Sequence, residues 1–146
     1  MRPGKGKKLL VVDDEALITQ TLREFLEEEG YEMDAFQDSQ HALKAYMASL
    51  QRQPYDLVIL DIIMRGMDGL ELLRQIRRKE KESGVDEMRK VPVLMVSGLR
   101  ETWVEEAFED GCTDYIVKPF HVDQLLRKVA ALLNGASENH LPSERD

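Results

Sequence analysis

The sequence contains few of the residues that mark specialised protein classes. Its single cysteine, Cys112, excludes an internal disulfide and provides no ligand spacing for a zinc or iron–sulfur site. No apolar run is long enough to span a bilayer, and no signal-peptide pattern opens the chain. Basic residues are outnumbered: 20 Lys and Arg against 28 Asp and Glu give a net charge of −8, which argues against a broad nucleic-acid-binding surface. We therefore expect a cytoplasmic protein that neither enters a membrane nor binds nucleic acid directly.

The residues that are present give an ordinary globular composition. Apolar residues make up 42% of the chain and charged residues 33%, which is typical of a folded domain. A chain of 146 residues is long enough for one domain with a sizeable core. We predict one domain over residues 7–134, a flexible lead at 1–6 and a flexible tail at 135–146, where apolar periodicity is missing.

Short apolar runs alternate with amphipathic segments along the whole domain. Most of the runs are rich in Val, Ile and Leu, as expected of strands that are buried on both faces, whereas the more mixed second run fits the edge of a sheet. They cover Lys8–Val12, Tyr31–Phe36, Asp56–Leu60, Val91–Val96 and Asp114–Val117. The segments between them place apolar residues at helical spacing. This alternation predicts an α/β fold in which a five-stranded parallel sheet carries helices on both faces. One common topology is the flavodoxin-like strand order 2-1-3-4-5.

Polar side chains follow four of the predicted strands. Asp13 and Asp14 follow the first strand, Asp61 the third, Ser97 the fourth and Lys118 the fifth. In the flavodoxin-like order, strands one and three are neighbours, about 4.8 Å apart, and ligands bind at their carboxyl ends. Crowded carboxylates raise one another's pKa values unless a cation binds, and Mg²⁺ prefers such oxygen ligands. A hydroxyl and an ammonium nearby suit a phosphoryl group, so we hypothesise that Asp61 accepts one.

These residues resemble the receiver domain of two-component response regulators, including the chemotaxis-regulator-like receivers. The resemblance covers roughly Lys7 to Asn134. Its motifs, in order, are Val11-Val12-Asp13-Asp14-Glu15, then Asp61-x-x-Met64-x-x-Met67-Asp68-Gly69, then Ser97, and last Asp114-Tyr115-x-x-Lys118-Pro119-Phe120. Each motif alone is weak, but their order and their places at strand ends are specific.

The resemblance implies a role for each residue of a magnesium site. Asp61 is the phosphoacceptor and binds Mg²⁺ directly. Asp14 and the backbone carbonyl of Ile63 are the other direct ligands, and Asp13 orders a metal-bound water. Lys118 contacts phosphoryl oxygens.

The resemblance also implies a conformational switch. Ser97 contacts the phosphoryl group, and Tyr115 then turns inward into the vacated space. The bond before Pro119 is expected to be cis. The domain is not expected to be an enzyme beyond its own Mg²⁺-dependent phosphorylation and dephosphorylation.

The implied setting is bacterial phosphorelay signalling. A sensor histidine kinase or a histidine phosphotransfer protein donates the phosphoryl group. An unidentified effector reads the face formed by helix four, strand five and helix five, and a phosphorylation-dependent homodimer is a further expected assembly. The chain is either a single-domain regulator or the N-terminal receiver of a larger one.

Some residues depart from the family pattern or have a simpler interpretation. Arg65 stands where the family usually has Pro, and Gly98 where it often has Ala. Asp68 reads as the cap of the following helix, and Asp14, taken alone, could also be a cap. The mixed-charge run 77–82 is interpreted as a solvated helix end.

Two other function classes stay open at this point. A metal-dependent phosphatase with an aspartyl-phosphate intermediate usually has Asp-x-Asp on its first strand, whereas here the two Asp residues are adjacent. A flavin-binding flavodoxin-like module needs a Ser-, Thr- or Gly-rich loop after strand one, and the acidic segment 13–15 would repel phosphate without a metal.

Overall fold

Strands and helices alternate through the parts of the chain that the computed structural model describes, which are residues 6–64, 68–98 and 104–135. The elements are β1 (Lys8–Val12), α1 (Ala16–Glu28), β2 (Glu32–Phe36), α2 (Ser39–Ser49), β3 (Leu57–Asp61), α3 (Gly69–Glu82), a 3-10 turn (Glu87–Arg89), β4 (Val93–Ser97), α4 (Val104–Glu109), β5 (Asp114–Val117) and α5 (Val122–Leu133). Apart from Gly6 and Gly135, the predicted lead and tail lie outside the described residues, and so does Arg65.

The strands form one parallel sheet in the order β2-β1-β3-β4-β5, which confirms the predicted fold and topology. β3 lies at the centre and is buried along its whole length. It pairs with β1 on one side, where Val12 lies opposite Leu60, and with β4 on the other, where Asp61 lies opposite Val96. The carboxyl ends of β1, β3 and β4 therefore meet at one edge of the sheet.

Each face of the sheet supports its own apolar core. Alternate residues of β3 point to opposite faces, as the pleat of a strand requires. Val58 and Leu60 pack with residues from α2, α3 and α4, whereas Leu57 and Ile59 pack with residues from α1 and α5. Helices therefore cover both faces, as predicted. Among the described residues, no helix has the length and apolarity needed to cross a membrane.

Acidic residues cap two of the helices. The Asp68 carboxylate accepts a hydrogen bond of 2.8 Å from the backbone N–H of Glu71, as predicted for the start of α3. The Asp38 carboxylate caps α2 in the same way through the backbone N–H of His41, also at 2.8 Å. Both caps satisfy backbone donors that have no partner within the helix.

The end of α3 corrects one sequence prediction. The run 77–82 was expected to be solvated, yet Glu80 is 2% exposed. Its carboxylate accepts from Arg77 Nη1 at 2.8 Å and from the backbone N–H of Val91 at 2.7 Å. Arg77 also donates to the carbonyl of Gly111 through Nε at 3.0 Å and Nη2 at 2.7 Å. These two residues join α3 to the amino-terminal edge of the sheet, whereas Arg78, Lys81 and Glu82 are exposed as predicted.

Candidate functional site

Asp61 is the last residue of the central strand and is 6% exposed. Its backbone is paired with Val96 of β4, and its Oδ1 accepts a hydrogen bond of 3.3 Å from the backbone N–H of Ile63. Ile63 itself is 54% exposed. The end of β3 therefore places a nearly buried carboxylate at the edge of the sheet, next to a loop residue that is exposed to solvent.

Gly69 fixes the end of β3 in a way that the sequence analysis did not predict. Its backbone N–H donates to the carbonyl of Ile62 at 2.7 Å. A Cβ at this position would lie 2.0 Å from the backbone oxygen of Asp61 and 2.7 Å from the Cα of Ile62. The first turn of α3 thus presses directly on the backbone of the predicted phosphoacceptor, and only glycine leaves room for it.

Lys118 brings together carboxylates that are far apart in the chain. Its Nζ lies 2.9 Å from Asp13 Oδ2, 3.2 Å from Asp61 Oδ2 and 3.4 Å from Glu15 Oε1. The backbone N–H of Lys118 donates to the carbonyl of Ser97 at 2.9 Å, which extends the pairing of β5 with β4. Sheet pairing therefore aims this side chain at the ends of β1 and β3.

The carboxylates that could share a metal ion differ from the predicted set. Within the described residues, Asp13, Glu15 and Asp61 offer oxygens that all lie within 4.8 Å of one another. Asp14 is not in this group, and its side chain is partly exposed. Glu15 was not predicted as a site residue, although it directly follows the two predicted Asp residues. The roles of Asp14 and of the Ile63 carbonyl as direct ligands stay predictions.

The environment of Asp61 raises the pKa of its carboxyl group from 3.8 to about 6. Burial is the largest cause because it disfavours the charged form, and the negative charge of Asp13 adds to it. Lys118 acts in the opposite direction but does not cancel these effects. For Lys118, burial lowers the pKa, but its hydrogen bonds and attraction to Asp13 and Asp61 outweigh this and raise the pKa overall. The ammonium therefore stays charged, and ionisation of Asp61 is less favourable here than in water.

Ser97 and Tyr115 lie on the two strands next to the site. Ser97 ends β4 and is 1% exposed, and it lies opposite Val117 of β5. Tyr115 is 6% exposed, and its ring meets that of Phe108 on α4 edge to face, with centroids 6.1 Å apart. The Lys118–Pro119 peptide bond is cis. The phosphoryl-binding role of Ser97 and the switch role of Tyr115 stay predictions.

The donor atoms at this edge suit Mg²⁺. Counted over the described residues, three carboxylates and one ammonium give this partly buried site an excess of negative charge. Oxygen ligands of this kind are the ones that Mg²⁺ prefers, with waters and phosphate oxygens completing the shell. The residues present therefore fit a magnesium ion.

Comparison with known families agrees with this geometry. The family model described as "Response regulator receiver domain" matches residues 9–130. The chain belongs to this family. A transcriptional regulatory protein, ResD of Bacillus subtilis, is 39% identical to this receiver domain over 132 residues, which are 90% of the chain and 50% of ResD. The regulatory protein VanRB of Enterococcus faecalis is 37% identical over 127 residues, 86% of the chain and 52% of VanRB. The receiver domain thus spans about half the length of these relatives.

Solved structures share the receiver fold and include magnesium-bound examples. The CheX–CheY–BeF₃–Mg²⁺ complex from Borrelia burgdorferi has a TM-score of 0.78 at 27% identity, covering 90% of this chain and 98% of that one. The Mg²⁺-complexed receiver domain of the histidine kinase CKI1 from Arabidopsis thaliana has a TM-score of 0.73 at 27% identity, covering 88% and 94%. Structural neighbours therefore include both a chemotaxis protein and a receiver domain that is part of a kinase.

Proposed function

We propose that this receiver domain is a phosphorylation switch in which Asp61 accepts a phosphoryl group from the phosphohistidine of a sensor kinase or a histidine phosphotransfer protein. The observation that carries this proposal is the convergence of Asp61, Asp13 and Lys118. A nearly buried carboxylate sits 3.2 Å from an ammonium that a second buried carboxylate also holds. This arrangement has a nucleophile and a cation for the phosphoryl oxygens at one strand end.

The chemistry needs mainly position and charge. An Asp61 carboxylate oxygen forms the new bond to phosphorus, while the bond from phosphorus to the histidine nitrogen breaks and the imidazole leaves with that electron pair. Lys118 stays beside Asp61 and contacts a phosphoryl oxygen. Bound Mg²⁺ would be held by Asp61 with Asp13 and Asp14 or Glu15, and it would neutralise charge on the phosphoryl oxygens. Burial and the negative charge of Asp13 raise the pKa of Asp61, and a bound cation would favour its ionised form.

An apolar groove beside Lys118 supports a protein as the phosphodonor. The groove has a volume of about 460 Å³ and lies between α1 and the start of α5. Its lining residues are Ile18, Thr21, Leu22, Lys118, Pro119, Phe120 and Val122. Because Lys118 belongs both to this groove and to the site, a donor protein that reaches Asp61 would cover the groove.

The proposed output is a change of the surface formed by α4, β5 and α5. The added phosphoryl charge draws Ser97 toward Asp61, and Tyr115 moves into the space that Ser97 leaves. Tyr115 packs on Phe108 of α4, so its movement reaches that helix. An effector, or a second copy of the domain, would read the altered surface. We propose that the domain works in the cytoplasm as a signalling switch and not as an enzyme on other substrates.

Phosphorylation with a small donor tests the proposal. The protein is incubated with acetyl phosphate and Mg²⁺, and intact mass and peptide mapping then locate the adduct. We expect one hydroxylamine-sensitive phosphoryl group on Asp61, none with EDTA and none in Asp61→Asn. The matched control is Asp68→Asn, because asparagine caps a helix about as well as aspartate and the exposed Asp68 lies outside the carboxylate group. Labelling at another residue, or labelling that survives Asp61→Asn, would contradict the proposal.

A further inference from the structure

Glu15 holds a position in which its side chain would ordinarily cap a helix. It is the N-cap residue of α1, and its side chain makes no capping hydrogen bond. Ser, Thr, Asp and Asn are preferred at N-caps because their short side chains reach the first free N–H groups of the helix. α2 and α3 follow this rule through Asp38 and Asp68. Glu15 departs from it, and a local departure of this kind often marks a functional position.

The Glu15 carboxylate points to the candidate site instead. Its Oε1 lies 3.4 Å from Lys118 Nζ, and it shares the 4.8 Å carboxylate group with Asp13 and Asp61. The backbone N–H of Glu15 donates to Asp13 Oδ1 at 2.9 Å, which ties the residue to the site. Its side chain is 63% exposed, whereas those of Asp13 and Asp61 are 4% and 7% exposed. Glu15 is therefore the carboxylate at the solvent-facing mouth.

The lysine cannot keep all three partners once a phosphoryl group arrives. An ammonium has three N–H donors, and Lys118 directs them among Asp13, Asp61 and Glu15. A phosphoryl oxygen needs at least one of these donors. The contact to Glu15 is the longest and the most solvent-screened, so its loss has the smallest cost.

We propose that Glu15 is a positioning residue that holds the Lys118 ammonium at the mouth of the resting site and releases it to the phosphoryl group. This inference rests on the proposed function. The Glu15 charge also attracts a divalent cation and repels an anionic phosphodonor. Removing it therefore has two opposite effects: weaker Mg²⁺ binding and faster phosphorylation when Mg²⁺ is saturating.

The variant Glu15→Gln separates these effects. We expect about a three- to tenfold weaker Mg²⁺ affinity by isothermal titration calorimetry, from the loss of one nearby charge in a solvent-screened position. At saturating Mg²⁺, we expect the acetyl phosphate labelling rate of Asp61 to rise about two- to fivefold. The matched control is Glu24→Gln, an exposed glutamate further along α1, which should leave both quantities unchanged. A residue with a merely structural role would not move the two quantities in opposite directions.

The variant Glu15→Ser adds a readout that does not depend on phosphorylation. Serine gives α1 the capping side chain that it lacks, so the melting temperature without metal should rise by about 2–6 °C. Mg²⁺ affinity should fall as in Glu15→Gln. If the wild type is labelled at Asp61 but Glu15→Gln has the same Mg²⁺ affinity and labelling rate as Glu24→Gln, the Glu15 inference alone is overturned. Absence of any wild-type labelling would overturn the proposed function and, with it, the release of Lys118.

Discussion

The two edges of the sheet bury charged residues in opposite ways. At the amino-terminal edge, Arg77 and Glu80 satisfy each other and two backbone groups, with contacts of 2.7 to 3.0 Å. At the carboxyl-terminal edge, buried Asp13 and Asp61 both contact the Lys118 ammonium, and burial raises the pKa of Asp61 to about 6. A network with all its partners present stabilises the fold. Among the described residues of the other edge, carboxylates outnumber the ammonium, which is why we propose that this edge binds a cation and a phosphoryl group.

The largest effect on stability should come from removing one partner of the Arg77–Glu80 pair at the amino-terminal edge. Glu80→Ala leaves the Arg77 charge without its carboxylate and the Val91 N–H without its acceptor, which should lower the free energy of unfolding by about 3–5 kcal/mol. Urea denaturation followed by circular dichroism measures it. Glu82→Ala is the control, because this exposed residue only pairs with Lys79 and its loss should cost less than about 0.5 kcal/mol. Equal losses in the two variants would show that the edge is not a structural network.

The second-largest effect on stability should come from adding a side chain at the carboxyl-terminal edge of the sheet. Gly69→Ala forces a Cβ against the backbone of Asp61 and Ile62, so α3 or the end of β3 must shift. We expect a loss of about 1–3 kcal/mol in unfolding free energy, as for other overpacked sites, together with a much lower rate of Asp61 labelling. Gly98→Ala is the control, since a Cβ there meets nothing within 4 Å. Wild-type stability and labelling in Gly69→Ala would show that this close backbone contact does not constrain the site.

A third change, Asp61→Asn, should stabilise the protein, because it removes a carboxylate whose ionisation the folded protein disfavours. The pKa of Asp61 is raised from 3.8 to about 6, so its contribution to stability is present below pH 3.8 and is lost as pH rises through about 6. Asp61→Asn avoids that loss. At pH 7.5 in EDTA, the variant should be about 1–2 kcal/mol more stable than the wild type, and the difference should disappear below about pH 4. Urea denaturation across this pH range checks it, and a difference that is independent of pH would contradict the assignment.

The smallest effect sharpens the contrast between a buried and an exposed arginine on the same helix. Arg74 lies one turn before Arg77 and pairs with Glu71, Glu106 and Asp110, but its side chain is 40% exposed. Arg74→Ala should cost about 0.5–1 kcal/mol at low salt, and less at high salt, because solvent and ions screen exposed pairs. Arg77→Ala, which strands buried Glu80, should cost more and should respond little to salt. Denaturation of both variants at two salt concentrations makes the comparison.

The sequence alone determined the architecture and which polar side chains gather at one edge of the sheet. Strand and helix periodicity are local properties, and in a parallel sheet the residues after each strand must gather at one edge. This rule is enough to bring Asp61, Asp13 and Lys118 together. The cap at Asp68 and the exposure of Arg78, Lys81 and Glu82 are also local features, which is why they could be predicted.

Only the tertiary structure decided how the charges pair. The grouping of Glu15 with Asp61 around Lys118 and the burial of Glu80 against Val91 depend on contacts between segments that are apart in sequence. In the sequence, a carboxylate in a mixed-charge run gives the same pattern whether its side chain faces water or pairs with an arginine inside the protein. Packing and strand register settle that choice, because they fix the distances between side chains to within a few tenths of an ångström, and no local pattern encodes those distances.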